Sequence, residues 1–158
     1  MATPNIVLTR IDNRLIHGQV GVTWTSSVGA NLILVADDET ADNPLMQQLM
    51  GTTAKQAGAA ARFWTVQKTI ETIHKASERQ KIFIVAKTPA TVRKLIEGGV
   101  PIKEVNVGNM HFSEGKQQIS KKVYVDAADL ADLKAIEDAG VDVYIQDVPG
   151  DTKERVKY

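Results

Sequence analysis

Three side chains near the start of the chain are of the types that phosphoryl chemistry needs. They are Asp12, Arg14 and His17, in the stretch T-R-I-D-N-R-L-I-H-G-Q-V from Thr9 to Val20. A neutral imidazole is a nucleophile, and an arginine three residues ahead of it is a fixed cation whose planar fork matches phosphate oxygens. The stretch follows a strand-like run at 6–11 and precedes a helical run that stops at Ser26-Ser27-Val28-Gly29. It therefore reads as a strand-to-helix loop with His17 at the helix N-terminus. Unpaired backbone N–H groups at such a terminus, here those of Gly18 and Gln19, bind phosphate and disfavour a protonated ring. Asp12 is suited to orient Arg14 or to hold the imidazole by a hydrogen bond, and its plainer role is a strand-end cap. Arg10 adds charge to the same loop or lies on the surface, surface placement being the plainer reading.

Other candidates are more distant. His111 follows a strand that borders the site, where it would touch the phosphate or a partner or be an ordinary loop histidine. His74 follows the apolar stripe of Ile70 and Ile73 and reads as a helix-surface residue. Asp37 and Asp38 resemble a metal-binding pair, yet their place at a strand end also suits a turn. Histidines and carboxylates this far apart do not have metal-ligand spacing, so no metal and no cofactor is expected.

The elements that must position these residues follow from periodicity and caps. Strands are predicted at 31–36, 62–64, 81–86, 104–107, 121–125 and 141–146, besides the first at 6–11. Helices are predicted at 19–28, from Asn43-Pro44 to 57 with Leu45 and Leu49 one turn apart, and after Thr65 on the Val66, Ile70, Ile73 stripe. Two more follow Thr88-Pro89, with Val92, Leu95 and Ile96, and Asp126, with Leu130, Leu133 and Ile136. Residues 108–120 read as irregular, with a short helical turn, and the charged tail after Pro149 as surface. Seven strands interleaved with about five helices imply an α/β fold: an open, mostly parallel sheet with helices on both faces. Sites in such sheets form beyond the carboxyl ends of strands where the winding direction switches, and the loops beginning at Asp37 and Gly108 would open on the same edge as His17.

Bulk properties narrow the function. The 158 residues suit one domain over 1–158, and 19 basic against 19 acidic side chains leave no basic footprint for nucleic acid. No cysteine is present, which removes thiolate catalysis and zinc-thiolate sites and fits a reducing compartment. The start of the chain has no signal-peptide pattern and no apolar run reaches membrane-spanning length, so a cytoplasmic protein is expected.

The motif R-x-D-x-R-L-I-H-G-Q-V resembles the active-site loop of the IIB components of the mannose/fructose/sorbose class of the bacterial sugar phosphotransferase system. The similarity extends through G-V-T-W, G-A-N-L-I-L-V-A-D-D, K-T-P-A-T-V-R-K-L, N-V-G-N-M-H-F and Q-D-V-P-G-D, nearly the whole chain. The galactosamine and N-acetylgalactosamine-specific members are the most similar. The resemblance implies a phosphoryl carrier: His17 takes phosphate from a phosphohistidine on a IIA partner and passes it, from Nδ1, to a sugar entering through IIC and IID membrane partners. It also implies a place peripheral to the inner membrane through those partners. The alternatives are the same role for mannose, fructose or sorbose, a histidine-type phosphatase, and a small-molecule binding module. Histidine phosphatases place arginine directly before the histidine, where this chain has Ile16, and neither G-x-G-x-x-G nor a P-loop supports nucleotide binding.

Overall fold

The structure, a computed structural model, describes residues 3–158, with Gln19 and Val20 described by their backbone alone. Strand β1 (Asn5–Asp12) leads through a turn into a π-helical segment (Gln19–Trp24) that continues as the short helix α1 (Thr25–Val28). Then come β2 (Leu32–Ala36), α2 (Asp38–Ala41), α3 (Pro44–Gln56), β3 (Ala60–Trp64), α4 (Val66–Thr72), β4 (Lys81–Ala86) and α5 (Pro89–Glu97). The chain finishes with β5 (Glu104–Asn109), β6 (Gln117–Ser120), β7 (Val123–Val125), α6 (Ala127–Asp138) and β8 (Asp142–Ile145).

The predicted caps form. Asn43, Thr65, Thr88 and Asp126 each accept a hydrogen bond from the backbone N–H three residues on, closing one of the donors a helix start leaves open. At α6 the cap is reciprocal, because the Asp129 carboxylate also accepts from the Asp126 N–H. On α3 the Leu45 and Leu49 pair faces solvent, and Met50 and Ala54 carry the buried side.

Six strands pair in the order β3-β2-β4-β1-β5-β8, every pair parallel. The expected count of about seven strands in this sheet is corrected to six. The 121–125 run forms β7, but it turns back antiparallel on β6 as a separate two-stranded ribbon. Residues 108–120 contain the end of β5 and all of β6, without the helical turn expected there. A sixth helix, α2, starts where Asp37 and Asp38 read as a turn, and the charged tail is less detached than expected. Glu154 pairs with Ile145 and Val156 is buried, so the tail covers the β8 edge.

Alternation along the buried strands splits the core between two faces. Leu34, Ile84 and Val107 pack with Val92, Leu95, Leu133 and Ile136 of α5 and α6, while Val35, Val85 and Leu8 pack with Trp24 and with Met50 and Ala54 of α3. From β1 the chain steps across β4 to β2, and from β5 it steps away to β8. The winding therefore diverges between β1 and β5, and the crevice at their carboxyl ends is the switch point of the sheet.

Candidate active site at the β1–β5 switch point

Asp12 is the last residue of β1, and its fully buried carboxylate is the hub of the site. Oδ1 accepts from the Arg14 N–H at 3.0 Å, which folds the turn back on itself. Oδ2 faces His17 Nε2 at 3.0 Å and accepts from Arg10 Nε and Nη2 at 3.3 Å each. Burial pushes the Asp12 carboxyl up, but the hydrogen bonds from His17 and from the Arg14 backbone, with the charge of Arg10, outweigh it and hold the group below the usual carboxylate range. An ionised carboxylate only accepts, so in the neutral ring the proton sits on Nε2 and the lone pair on Nδ1.

Arg10 corrects the surface reading given to it: the side chain is 0% exposed. Its register partner across β5 is Asn106, whose Oδ1 accepts from Nη1, and the Gln146 carbonyl accepts from the same nitrogen at 3.1 Å. The guanidinium lies 5.1 Å from the centre of the Trp24 ring, whose Nε1 donates to the Asp147 carbonyl. Burial lowers the pKa of Arg10 and the Asp12 carboxylate opposes that shift. A guanidinium keeps its proton in proteins, so the arrangement is a buried ion pair in which both hydrogens of Nη1 also find acceptors. Gly108 makes room for it: a Cβ there would lie 2.0 Å from Arg10 Cζ.

Arg14 is different in kind. Its side chain is 40% exposed, with Nε 3.6 Å from Asp12 Oδ1, and its terminal nitrogens meet no acceptor among the described residues. It lines an open cavity of about 280 Å³ together with Asn13, Thr40, Asn43, Met50 and Lys87. His17 is partly exposed, and the helical segment starts directly after it, with the Gly21 N–H donating to the His17 carbonyl at 2.7 Å. The expected helix N-terminus is therefore present: this i→i−4 bond closes its first turn before the segment passes into π-helical geometry. Around Gly18 an added Cβ would meet nothing within 4 Å, so that side of the loop is open. The Gln19 side chain lies outside the described residues.

The remaining candidates separate from this cluster. Asp37 caps α2 through Thr40 and pairs with Lys87 at 3.4 Å, while Asp38 accepts from the Val66 N–H at 2.8 Å, so the two carboxylates have different partners. His111 meets the loop through its backbone N–H, which donates to Asn13 Oδ1, and its side chain is exposed. His74 is exposed in a 3-10 turn that leads toward the start of β4, at the opposite edge of the sheet.

Sequence reasoning missed Asn13, Asn106, Trp24 and Gln146. A signal existed for Asn106, since an amide in the middle of a buried strand needs a partner and Arg10 is the polar interruption of the neighbouring strand. The others are set by tertiary placement.

Residues 6–158 match the family described as PTS system sorbose subfamily IIB component, and the chain belongs to that family of phosphotransferase components. It is 63% identical over 156 residues, 99% of each chain, to the N-acetylgalactosamine-specific phosphotransferase enzyme IIB component 1 of Escherichia coli K12. The crystal structure of the E. coli component superposes with a TM-score of 0.95, covering 97% of this chain and 100% of that one. A PTS-dependent N-acetylgalactosamine IIB component from Streptococcus pyogenes superposes at 0.89 with 38% identity, covering 96% of this chain and 93% of the other.

Proposed function

We propose that His17 Nδ1 is the phosphoryl acceptor of this IIB component. The observation that carries the reading is the 3.0 Å contact between His17 Nε2 and the buried Asp12 carboxylate, which leaves Nδ1 as the nucleophilic nitrogen. IIB components work with IIA proteins and with membrane IIC and IID proteins. In the first step the Nδ1 lone pair attacks the phosphorus of a phosphohistidine on IIA, a new N–P bond forms, and the donor's N–P bond breaks with its electrons returning to the donor ring. In the second step a sugar hydroxyl delivered by the membrane partners attacks the same phosphorus, the Nδ1–P bond breaks with its electrons returning to the His17 ring, and the hydroxyl proton is released to solvent.

The transition state of such a transfer is loose, with charge spread over three equatorial oxygens, so positioning and positive potential supply most of the catalysis. Arg14 and the N–H groups of Gly18 and Gln19 meet that need. Arg10 acts at one remove: it holds Asp12 ionised and in place, and Asp12 in turn holds the ring and offsets the positive charge that the ring develops on phosphorylation. No residue in this scheme requires a metal or a cofactor.

The sugar is N-acetylgalactosamine or galactosamine. For N-acetylgalactosamine that reading rests on the names of the similar proteins from E. coli and S. pyogenes, galactosamine rests on the sequence resemblance alone, and no side chain in the site argues for either independently. A cytoplasmic place beside the membrane partners follows from the same scheme, and among the described residues no helix is long and apolar enough to cross a membrane.

The test is intact mass after incubation with phosphoenolpyruvate and the general phosphotransferase proteins, with and without a matching IIA. One acid-labile phosphate that requires IIA is the expected result, and its transfer to N-acetylgalactosamine in membranes carrying IIC and IID, ahead of mannose, fructose or sorbose, is the expected specificity. Phosphate appearing without IIA, or none at all, rejects the carrier reading.

A further inference from the structure

Asn13 stands just past the end of β1, between the buried aspartate and the exposed arginine, and three of its polar groups bond to the neighbouring strand ends. Its backbone N–H donates to the Asn109 carbonyl at 3.1 Å, at the end of β5. Its Oδ1 accepts from the His111 N–H just past that end, and its Nδ2 donates to the Lys87 carbonyl at 3.4 Å, just past the end of β4. These are the two strands that flank β1. One amide thus ties the turn after β1 to both neighbours, and the task needs an amide: Lys87 offers an acceptor and His111 a donor, so the side chain must supply one of each.

The tied turn is strained. Leu15 has φ of +57°, a left-handed conformation disfavoured for a side chain of its size, and it persists only where the surroundings over-determine it. Its side chain is buried against the core shared with Trp24 and Met50, and its N–H donates to the Asp12 carbonyl at 3.0 Å. Leu15 therefore anchors the turn from below and Asn13 from its start, with Arg14 and His17 carried on this segment.

We infer that Asn13 is a positioning residue for phosphoryl transfer. It fixes the turn so that His17 Nε2 stays on Asp12, which keeps Nδ1 as the nucleophile with Arg14 beside it. The inference rests on the reading of His17 as the acceptor. With the ties cut, the strain at Leu15 has a route to relax and the ring loses its fixed relation to the carboxylate, a displacement of the kind that costs group transfer dearly.

The experiment uses Asn13→Ala, which removes both side-chain ties, and Asn13→Asp, which keeps the acceptor for His111 but sets an oxygen against the Lys87 carbonyl. Three quantities are measured on the full chain: the ¹⁵N shifts of the His17 ring without phosphate, the single-turnover rate from a phosphorylated IIA protein of an N-acetylgalactosamine system, and the melting temperature. The parent is expected to show the Nε2–H tautomer. Both variants are expected to melt cooperatively, to shift toward tautomer-averaged ring signals and to transfer at least about tenfold more slowly. Parental ring signals in Asn13→Ala, whether or not its rate falls, overturn the inference. Should Asn13→Ala not fold, Asn13→Asp decides by the same two readouts. If the parent itself takes no phosphate, the carrier reading fails while the ring signals still decide the role of Asn13.

Discussion

In the proposed mechanism the two arginines on either side of Asp12 divide the work of charge, Arg10 buried and Arg14 exposed, and their loss should show in different ways. Arg14→Lys keeps the charge but loses the planar fork, so transfer is expected to slow by roughly 10–100-fold, the equivalent of one charge-assisted hydrogen bond, with an unchanged melting temperature. Equal single-turnover rates in mutant and parent remove Arg14 from the mechanism. Asp12→Asn, by contrast, leaves the buried Arg10 without its counter-charge and is expected to cost about 3–5 kcal/mol of stability by urea denaturation. The same carboxylate sets a pH dependence. Its pKa in the folded protein lies below the ordinary value, so the folded state holds its protons more weakly than the unfolded chain. The stability it contributes is whole above the ordinary carboxylate pKa of about 4 and is lost as pH falls through the lower folded value. Acid unfolding curves of the parent should therefore steepen below about pH 4, and the Asp12→Asn protein should lack that component.

At the scale of elements, β1 and β5 are fitted to each other by one bulky side chain and one missing one. Gly108→Ala places a Cβ against an Arg10 guanidinium that Asp12, Asn106 and Gln146 hold from three sides, so the arginine cannot swing away at little cost. A loss of about 1–3 kcal/mol is expected, the range for overpacking a core. Gly51→Ala is the control: it lies within α3 with nothing within 4 Å of its Cβ position, and should be neutral or stabilise by up to about 1 kcal/mol. Equal melting temperatures for the two variants would falsify the fitted-pair account. The caps and strands that position the site were legible because each is a local signal, a Thr-Pro or Asn-Pro pair or a run of branched apolar residues. Arg10 was misread because alternation alone does not say whether a polar residue on a strand has a partner. That partner, Asn106, is 96 positions away and is brought opposite only by the parallel register. The seventh strand failed for a related reason. β7 has the composition of a sheet strand, but it pairs antiparallel with the short β6 directly before it and meets the end of the β5 stretch through a single bridge, Met110 to Val123.

At the scale of the whole molecule, the sheet sets the three histidines apart, and this separation supports the proposal that His17 is the acceptor. Parallel strands put all their carboxyl ends on one edge, and the switch between β1 and β5 opens a crevice there. His17 lies on that edge with its ring held by a buried carboxylate and an arginine nearby. His74 lies in the turn that feeds β4 from the opposite edge, on the far side of the sheet from His17. His111 shares the edge, but it contributes a backbone N–H to the loop while its side chain faces solvent without a carboxylate to fix its tautomer among the described residues. His17→Gln keeps polarity and approximate size, and should abolish the IIA-dependent mass increase while leaving the circular dichroism spectrum unchanged. His74→Gln should be phosphorylated at the parental rate. His111→Gln should also be phosphorylated fully, at a rate reduced at most modestly, because the Asn13 tie to residue 111 runs through the backbone and survives the change of side chain. Stoichiometric acid-labile phosphate on a folded His17→Gln protein would move the acceptor to His111, the other histidine on the carboxyl edge.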